Sequence, residues 1–316
     1  MKTNILITGG AGFIPSSLAE RLLKDENTFL VLVDNFVTGH QKNIPVYPNI
    51  KFIKADVNDF SAISAIMTSY SFDYVFHYAA LVGVARTIKN PAMVLRDIDG
   101  IRYILDLCKN TGVKRVFFSS SSEVYGEPVS IPQHEEHTPL NSRLPYAVVK
   151  NIGECFCRAY KTEYDLNFTI LRFFNTYGLK QSQDFVISKF IQKALKGDDI
   201  TLYGDGLQTR TFCYIDDNVN FTYKILHENL CVNDVVNVGN DIQYTIKDLA
   251  LLIIKIANSS SKIIHLPPLK EGDMSRRQPD NSKMKKILER DLVTIEAGLS
   301  IIIKQHIINA SYAILS

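Results

Sequence analysis

Apolar residues in the first half of the chain gather in short unbroken blocks separated by longer helix-like stretches. Blocks rich in Val, Ile and Phe with no polar alternation suit strands buried on both faces. They predict strands at Asn4–Thr8, Phe29–Asp34, Ile50–Lys54, Tyr74–Tyr78, Arg115–Ser119 and Phe168–Phe173. The intervening stretches predict helices, including Pro15–Lys24, Phe60–Ser69, Pro91–Asn110 and Tyr146–Glu163. Strand and helix in alternation describe an α/β protein with a doubly wound parallel sheet.

After Gly178 the texture changes. Lys196–Gly206 and Ser259–Pro279 read as loop-rich, with short strands at Ile200–Tyr203, Asp234–Val238 and Lys262–Leu266 and helices near Phe185–Leu195 and Ile246–Ala257. The division expected is residues 1–178 as one domain and 179–316 as a smaller lobe. Around residues 210–240 the second part should return once to the main sheet, near Asn237.

Composition narrows the function by exclusion. With 35 Lys plus Arg against 33 Asp plus Glu, no global basic field invites nucleic acid, so an anionic ligand must be met locally. The strand-like start ILIT is too short for a secretory leader, and no run approaches the length of a membrane span; Ile301–Ile308 is interrupted by Lys304, Gln305 and His306. A cytoplasmic location without membrane contact is the resulting expectation. The 5 Cys lack paired clusters, so no metal site or disulfide framework is expected.

Two clusters carry chemistry. Gly9, Gly10 and Gly12 fall between the first strand and first helix, where backbone N–H groups can approach a pyrophosphate at a helix N-terminus. Asp34 closes the next strand, 22 residues beyond Gly12, placed to accept hydrogen bonds from ribose hydroxyls and to repel a 2′-phosphate. The cofactor indicated is NAD in a Rossmann sheet, with Asp56 a candidate for the adenine amino group. Pro15 is unusual, since a third small residue commonly stands there; proline is nevertheless tolerated in a first helical turn.

The second cluster is Tyr146 and Lys150, four residues apart and so on one helical face, following Ser121 by 25 residues. A phenol with a pKa of about 10 is a poor base at neutral pH, and a nearby ammonium favours its anion. With a serine hydroxyl from a strand end, such a site removes a proton from an alcohol while hydride leaves its carbon.

The chain resembles the extended short-chain dehydrogenase/reductases, specifically the NAD-dependent nucleotide-sugar epimerases, dehydratases and decarboxylases. The resemblance runs through ILITGGAGF, DNF at Asp34–Phe36, HYAALVG at His77–Gly83, SSSSEVYG, PYAVVK, LRFFNTYG, YGDGLQTRTFCYIDD and RRQPD at Arg276–Asp280. It implies Tyr146 as the base, Lys150 on the nicotinamide ribose and lowering the Tyr pKa, and Ser121 on the reacting hydroxyl. The cofactor contacts it implies are Gly9, Gly12, Phe13, Ile14, Asp34, Asn35, Asp56, Val57, Ala79 and Ala80, joined by Tyr146 and Lys150. Toward the substrate it implies Ser121, Ser122, Asn175, Arg210 and Arg277, the arginines suited to diphosphate. Asp97 stands where many relatives have Asn, and Lys270 where many have a phosphate-binding Arg.

Each reaction of this group begins with oxidation at C4. Ser122 replaces the Asp of a 4,6-dehydratase, which removes its acid; Glu123 remains, and Ser121, Ser122 and Glu123 fit a uronate decarboxylase. PYAVVK departs from the decarboxylase pattern, and the resemblance favours a 4-epimerase of a UDP-hexose or UDP-N-acetylhexosamine, with UDP-glucuronate decarboxylation next. An NAD-binding pseudoenzyme is the reading without catalysis, opposed by the intact Ser121, Tyr146 and Lys150. A homodimer through Pro91–Asn110 and Tyr146–Glu163 is also implied, with Ile101, Ile104, Leu105, Val148 and Cys155 as surplus apolar positions. Calorimetry should find NAD bound despite Pro15; absent binding that Pro15→Gly restores would overturn this.

Overall fold

The unbroken apolar blocks lie side by side as parallel strands: β1 Thr3–Thr8, β2 Thr28–Asp34, β3 Ile50–Lys54, β4 Tyr74–His77, β5 Arg115–Ser121 and β6 Phe168–Phe173. A seventh strand, Asp234–Val238, pairs with β6, giving the order Asp234–Val238, β6, β5, β4, β1, β2, β3. The computed structural model describes residues 2–267 and 276–315, and for 84, 85, 88, 310 and 312–315 it describes the backbone alone.

Side chains leave a strand alternately up and down, so each strand feeds two cores. Ile5 and Ile7 of β1 join Leu30, Leu32, Phe76 and Phe117 on one face, while Leu6 joins Val31, Val33, Val75 and Phe118 on the other. The strand order reverses between β1 and β4, which opens a crevice above their C-terminal ends.

The helix Pro145–Tyr164 packs onto the face holding Phe118 and carries Gly153 at the contact. A Cβ on Gly153 would stand 2.2 Å from the Phe118 ring, so only glycine lets helix and strand approach this closely. The helix expected over Pro91–Asn110 is instead two, Pro91–Leu95 and Asp97–Thr111. The break falls at Arg96, beside an Asp97 side chain that accepts the Leu81 N–H at 2.7 Å. Ile101, Ile104 and Leu105 are buried within their own chain, which removes them as grounds for a second subunit.

Beyond residue 178 the chain adds the helices Ile215–His227, Ser282–Leu288 and Ile295–Leu315, none of which the sequence patterns had marked. The first packs against the helix Phe13–Leu22, tying the second half to the glycine-rich end of the first. Among the described residues no helix is long and apolar enough to cross a membrane. Gly153→Ala should destabilise the fold by about 2 kcal/mol or more in urea titration, overpacking outweighing the usual helical gain of alanine. Phe118→Leu in the same chain should recover part of the loss.

Candidate active site

A cleft follows the C-terminal ends of the strands from Gly9 and Asp34 at one end to Tyr146, Glu123 and Arg277 at the other. Gly9 has φ +70°, and a Cβ there would lie 2.9 Å from the Ala79 nitrogen. Gly12 caps the helix Phe13–Leu22, whose Phe13 and Ile14 also border the cleft. This cradle is bare backbone at a helix N-terminus and fits a pyrophosphate. Pro15 takes the third helical position, and the ladder begins normally with Ser16 N donating to Gly12 O at 3.2 Å. Its missing N–H is one that no carbonyl of the helix would have met.

Asp34 is buried at the end of β2 and accepts N–H groups from Ala11 (3.0 Å) and Phe36 (2.7 Å). Burial raises its pKa and these two donors oppose the rise. A Cβ on Gly39 would come within 2.8 Å of both carboxylate oxygens, a constraint that sequence patterns did not reveal. Asn35, Asp56, Val57, Ala79 and Ala80 line an adjoining smaller cavity with Asn58 and Asp97. Asp97 holds Leu81 and receives Asn58 Nδ2 at 3.4 Å, and burial raises its pKa.

At the other end, consecutive serines of β5 meet one face of the helix Pro145–Tyr164. Ser119 Oγ accepts Lys150 Nζ at 3.1 Å, Ser120 Oγ donates to Glu154 Oε1 at 2.6 Å, and Ser121 is hydrogen-bonded to the Tyr146 hydroxyl. Tyr146, Lys150 and Glu154 follow one another at four-residue spacing, so their alignment comes from the helix itself. Ser121 Oγ also accepts the Glu123 N–H at 3.2 Å and caps the short 3-10 helix Ser122–Tyr125.

Burial, then the Glu123 charge, holds the Tyr146 phenol well above its ordinary value; Ser121 and Arg277 give the largest downward pulls. Lys150, with its Nζ 5.8 Å from the centre of the Tyr146 ring, is therefore not the main group easing that phenol. Glu123 and Arg277 form an ion pair at 3.5 Å, both largely shielded from solvent. Burial, reinforced by Lys150, depresses the His77 pKa to about 3, so His77 is neutral at Thr8 (2.9 Å) and shuttles no proton at neutral pH.

Ser122 and Asn175 border the cleft, and Asn175 Nδ2 donates to Thr211 O at 3.0 Å. Arg210 does not: it is buried on the strand Thr209–Thr211, opposite Tyr244, with Nη1 donating to Thr209 O at 2.7 Å. Lys270 lies outside the described residues.

Burial pulls the Lys150 ammonium from 10.5 to about 8, against the raising effect of Asp97. Below pH 8 the folded and unfolded chains both carry this charge, and burying it costs roughly 3 kcal/mol; as pH rises toward 10.5 the unfolded chain holds the extra proton and the cost fades. Lys150→Met should thus abolish turnover yet raise the calorimetric unfolding midpoint by a few degrees at pH 7, with the gain shrinking as pH rises.

Comparison with known proteins gives consistent likenesses. The chain is 36% identical over 315 residues to UDP-N-acetyl-alpha-D-glucosaminuronate decarboxylase of Bacillus cytotoxicus, covering 95% of this chain and 96% of the relative. It is 34% identical over 310 residues to UDP-glucuronic acid decarboxylase 1 of Danio rerio, covering 95% and 71%. Its fold superposes with a TM-score of 0.91 on the UDP-glucose 4-epimerase of Thermotoga maritima solved with UDP-glucose, at 29% identity over 98% of this chain and 100% of that one. With its glycine cradle and Asp34 suited to NAD and a family match over residues 5–239, the chain belongs to the NAD dependent epimerase/dehydratase family.

Proposed function

We propose that this chain is an NAD-dependent decarboxylase of a UDP-linked hexuronate, UDP-glucuronate or its 2-acetamido counterpart. The observation that carries the reading is the Glu123–Arg277 pair at the sugar end of the cleft, beside Tyr146. A 4-epimerase of a neutral hexose, favoured by PYAVVK and the Thermotoga likeness, asks nothing of such a pair. It is the second reading. The likeness to the two decarboxylases described above weighs on the side of the first.

Tyr146 takes the O4 proton, Ser121 holds the same hydroxyl, and Lys150 supports the coenzyme ribose. The Gly9–Gly12 cradle and Asp34 would hold NAD, whose chemistry there would be to take up hydride from C4 and give it back to the same carbon, with no net consumption. The resulting 4-keto uronate is a β-keto acid. Its C5–C6 bond breaks, the electron pair moves into the C4 carbonyl to give an enolate, and CO2 departs. A proton from solvent then enters at C5.

Arg277 lowers the Tyr146 pKa, so its positive charge bears on the place where O4 sits and where the enolate charge develops. Glu123 disfavours a second carboxylate in the same corner and leaves neutral CO2 unopposed. The diphosphate would meet Asn175 on the cleft wall.

Purified protein incubated with NAD and a panel of UDP-hexoses, UDP-N-acetylhexosamines and UDP-hexuronates should release CO2 and a UDP-pentose from a uronate, read by NMR. Inversion at C4 with all carbons retained would sink this reading in favour of the second. Arg277→Met should slow CO2 release on the order of a hundredfold, the usual loss when a group stabilising a developing oxyanion is removed.

A further inference from the structure

Two side chains outside the cleft lining are joined where they can govern the pair inside it. Glu123 belongs to the 3-10 helix Ser122–Tyr125, whose last residue, Tyr125, is buried. Arg277 enters on the segment 276–281, which is held by its backbone: Gln133 N donates to Gln278 O at 2.7 Å, and Asp280 N donates to Gln133 O at 2.8 Å. Asn237 is fully buried on the seventh strand, and its Nδ2 donates to Gln133 O (2.8 Å) and Asp280 O (3.2 Å). Its Oδ1 accepts the Tyr125 hydroxyl at 2.8 Å. A continuous buried path thus runs from the turn that carries Glu123 to the segment that carries Arg277, and the Tyr125–Asn237 hydrogen bond is the link between its two halves.

We propose that Tyr125 and Asn237 are positioning residues whose hydrogen bond sets the spacing of Glu123 and Arg277. This rests on the reading that the pair acts on substrate. The Tyr125 hydroxyl also accepts Arg172 Nη1 at 2.8 Å, but Arg172 keeps both arms on Glu154 and a contact to Glu135 O when that hydroxyl is lost. The helix bearing Tyr146 and Lys150 therefore keeps its seat in Tyr125→Phe. The loss falls on the steps that Glu123 and Arg277 serve, while C4 oxidation changes little, because the two charges pull the Tyr146 phenol in opposite directions and a joint shift leaves those pulls nearly in balance.

Tyr125→Phe and Asn237→Ser should each unfold cooperatively on heating. Coenzyme reduction by substrate, followed by absorbance in single turnover, should stay within about twofold, while product release falls on the order of tenfold and reduced coenzyme persists. The decisive comparison is a double-mutant cycle: in an Arg277→Met background, Tyr125→Phe should add less than about twofold. Independent, multiplying effects would overturn the proposal, as would equal loss of coenzyme reduction and product release. Failure of both variants to fold would mark the contact as purely structural and overturn it as well. The cycle is run on whichever UDP-sugar the unaltered enzyme converts, so the product made by that enzyme judges the decarboxylase reading and the cycle judges the positioning.

Discussion

Arg172 has 1% of its surface exposed, and the active-site half of the molecule is arranged to keep it charged there. Burial alone would lower its pKa; the two-armed contact to Glu154 at 2.9 and 2.7 Å, with Tyr125 behind it, more than reverses that. A buried fork of this kind is weak evidence for net stability, because desolvating both ions offsets most of the attraction. Its effect is on arrangement: removing one partner strands a charge at a cost of roughly 3–5 kcal/mol. Strand β6, the helix Pro145–Tyr164, the turn Ser122–Tyr125 and the Glu135 backbone are therefore compatible with one arrangement only. The serine ladder of β5 stands on that arrangement, since Ser120 shares the Glu154 carboxylate.

On the proposed reading, two kinds of function lie apart in space. Proton handling at O4 would belong to a single helix face, fixed by its own periodicity and by hydroxyls a short reach away. Treatment of the C6 end would then belong to groups brought from distant parts of the chain, whose relative placement depends on tertiary contacts. One fold can thus host several outcomes after a common oxidation. The helix face carrying Tyr146 and Lys150 is local and hard to alter, while the Glu123–Arg277 pair is supplied by a turn and an extended segment.

The sheet was legible in the sequence because strands buried on both faces leave unbroken apolar blocks, and no other element of a soluble protein this size does so as plainly. The helix Ile215–His227 was not: Phe221 and Ile225 look inward, but the stretch begins in YIDD, which reads as the end of a binding motif. The split at Arg96 depends on a bond from Asp97 to Leu81, and no local pattern announces it. Gly39 and Gly153 matter through what faces them, a carboxylate and a phenyl ring, so their importance exists only after folding. Ser121, Tyr146 and Lys150 showed themselves by spacing. The pairing of Glu123 with Arg277 joins positions too far apart in sequence for any periodicity to link them. Arg210 drew attention through its motif, yet its side chain is buried on the strand Thr209–Thr211 and is not among the residues that line the cleft.

The three serines ending β5, followed in the chain by Ser122, offer the helix interchangeable hydroxyls, and a strand slipped by one place so as to bring in Ser122 would still present a hydroxyl at every rung. Nothing in the serines themselves forbids such a slip. The prohibition is written in the two residues immediately before them, where Phe118 must lie beneath Gly153 and Phe117 must stack on Phe76 with ring centres 4.3 Å apart. Slippage would exchange the faces of these two rings. Which serine stands beside Tyr146 is thus information stored in a pair of aromatic side chains, and the serine tract is a blank scale against which they set the zero.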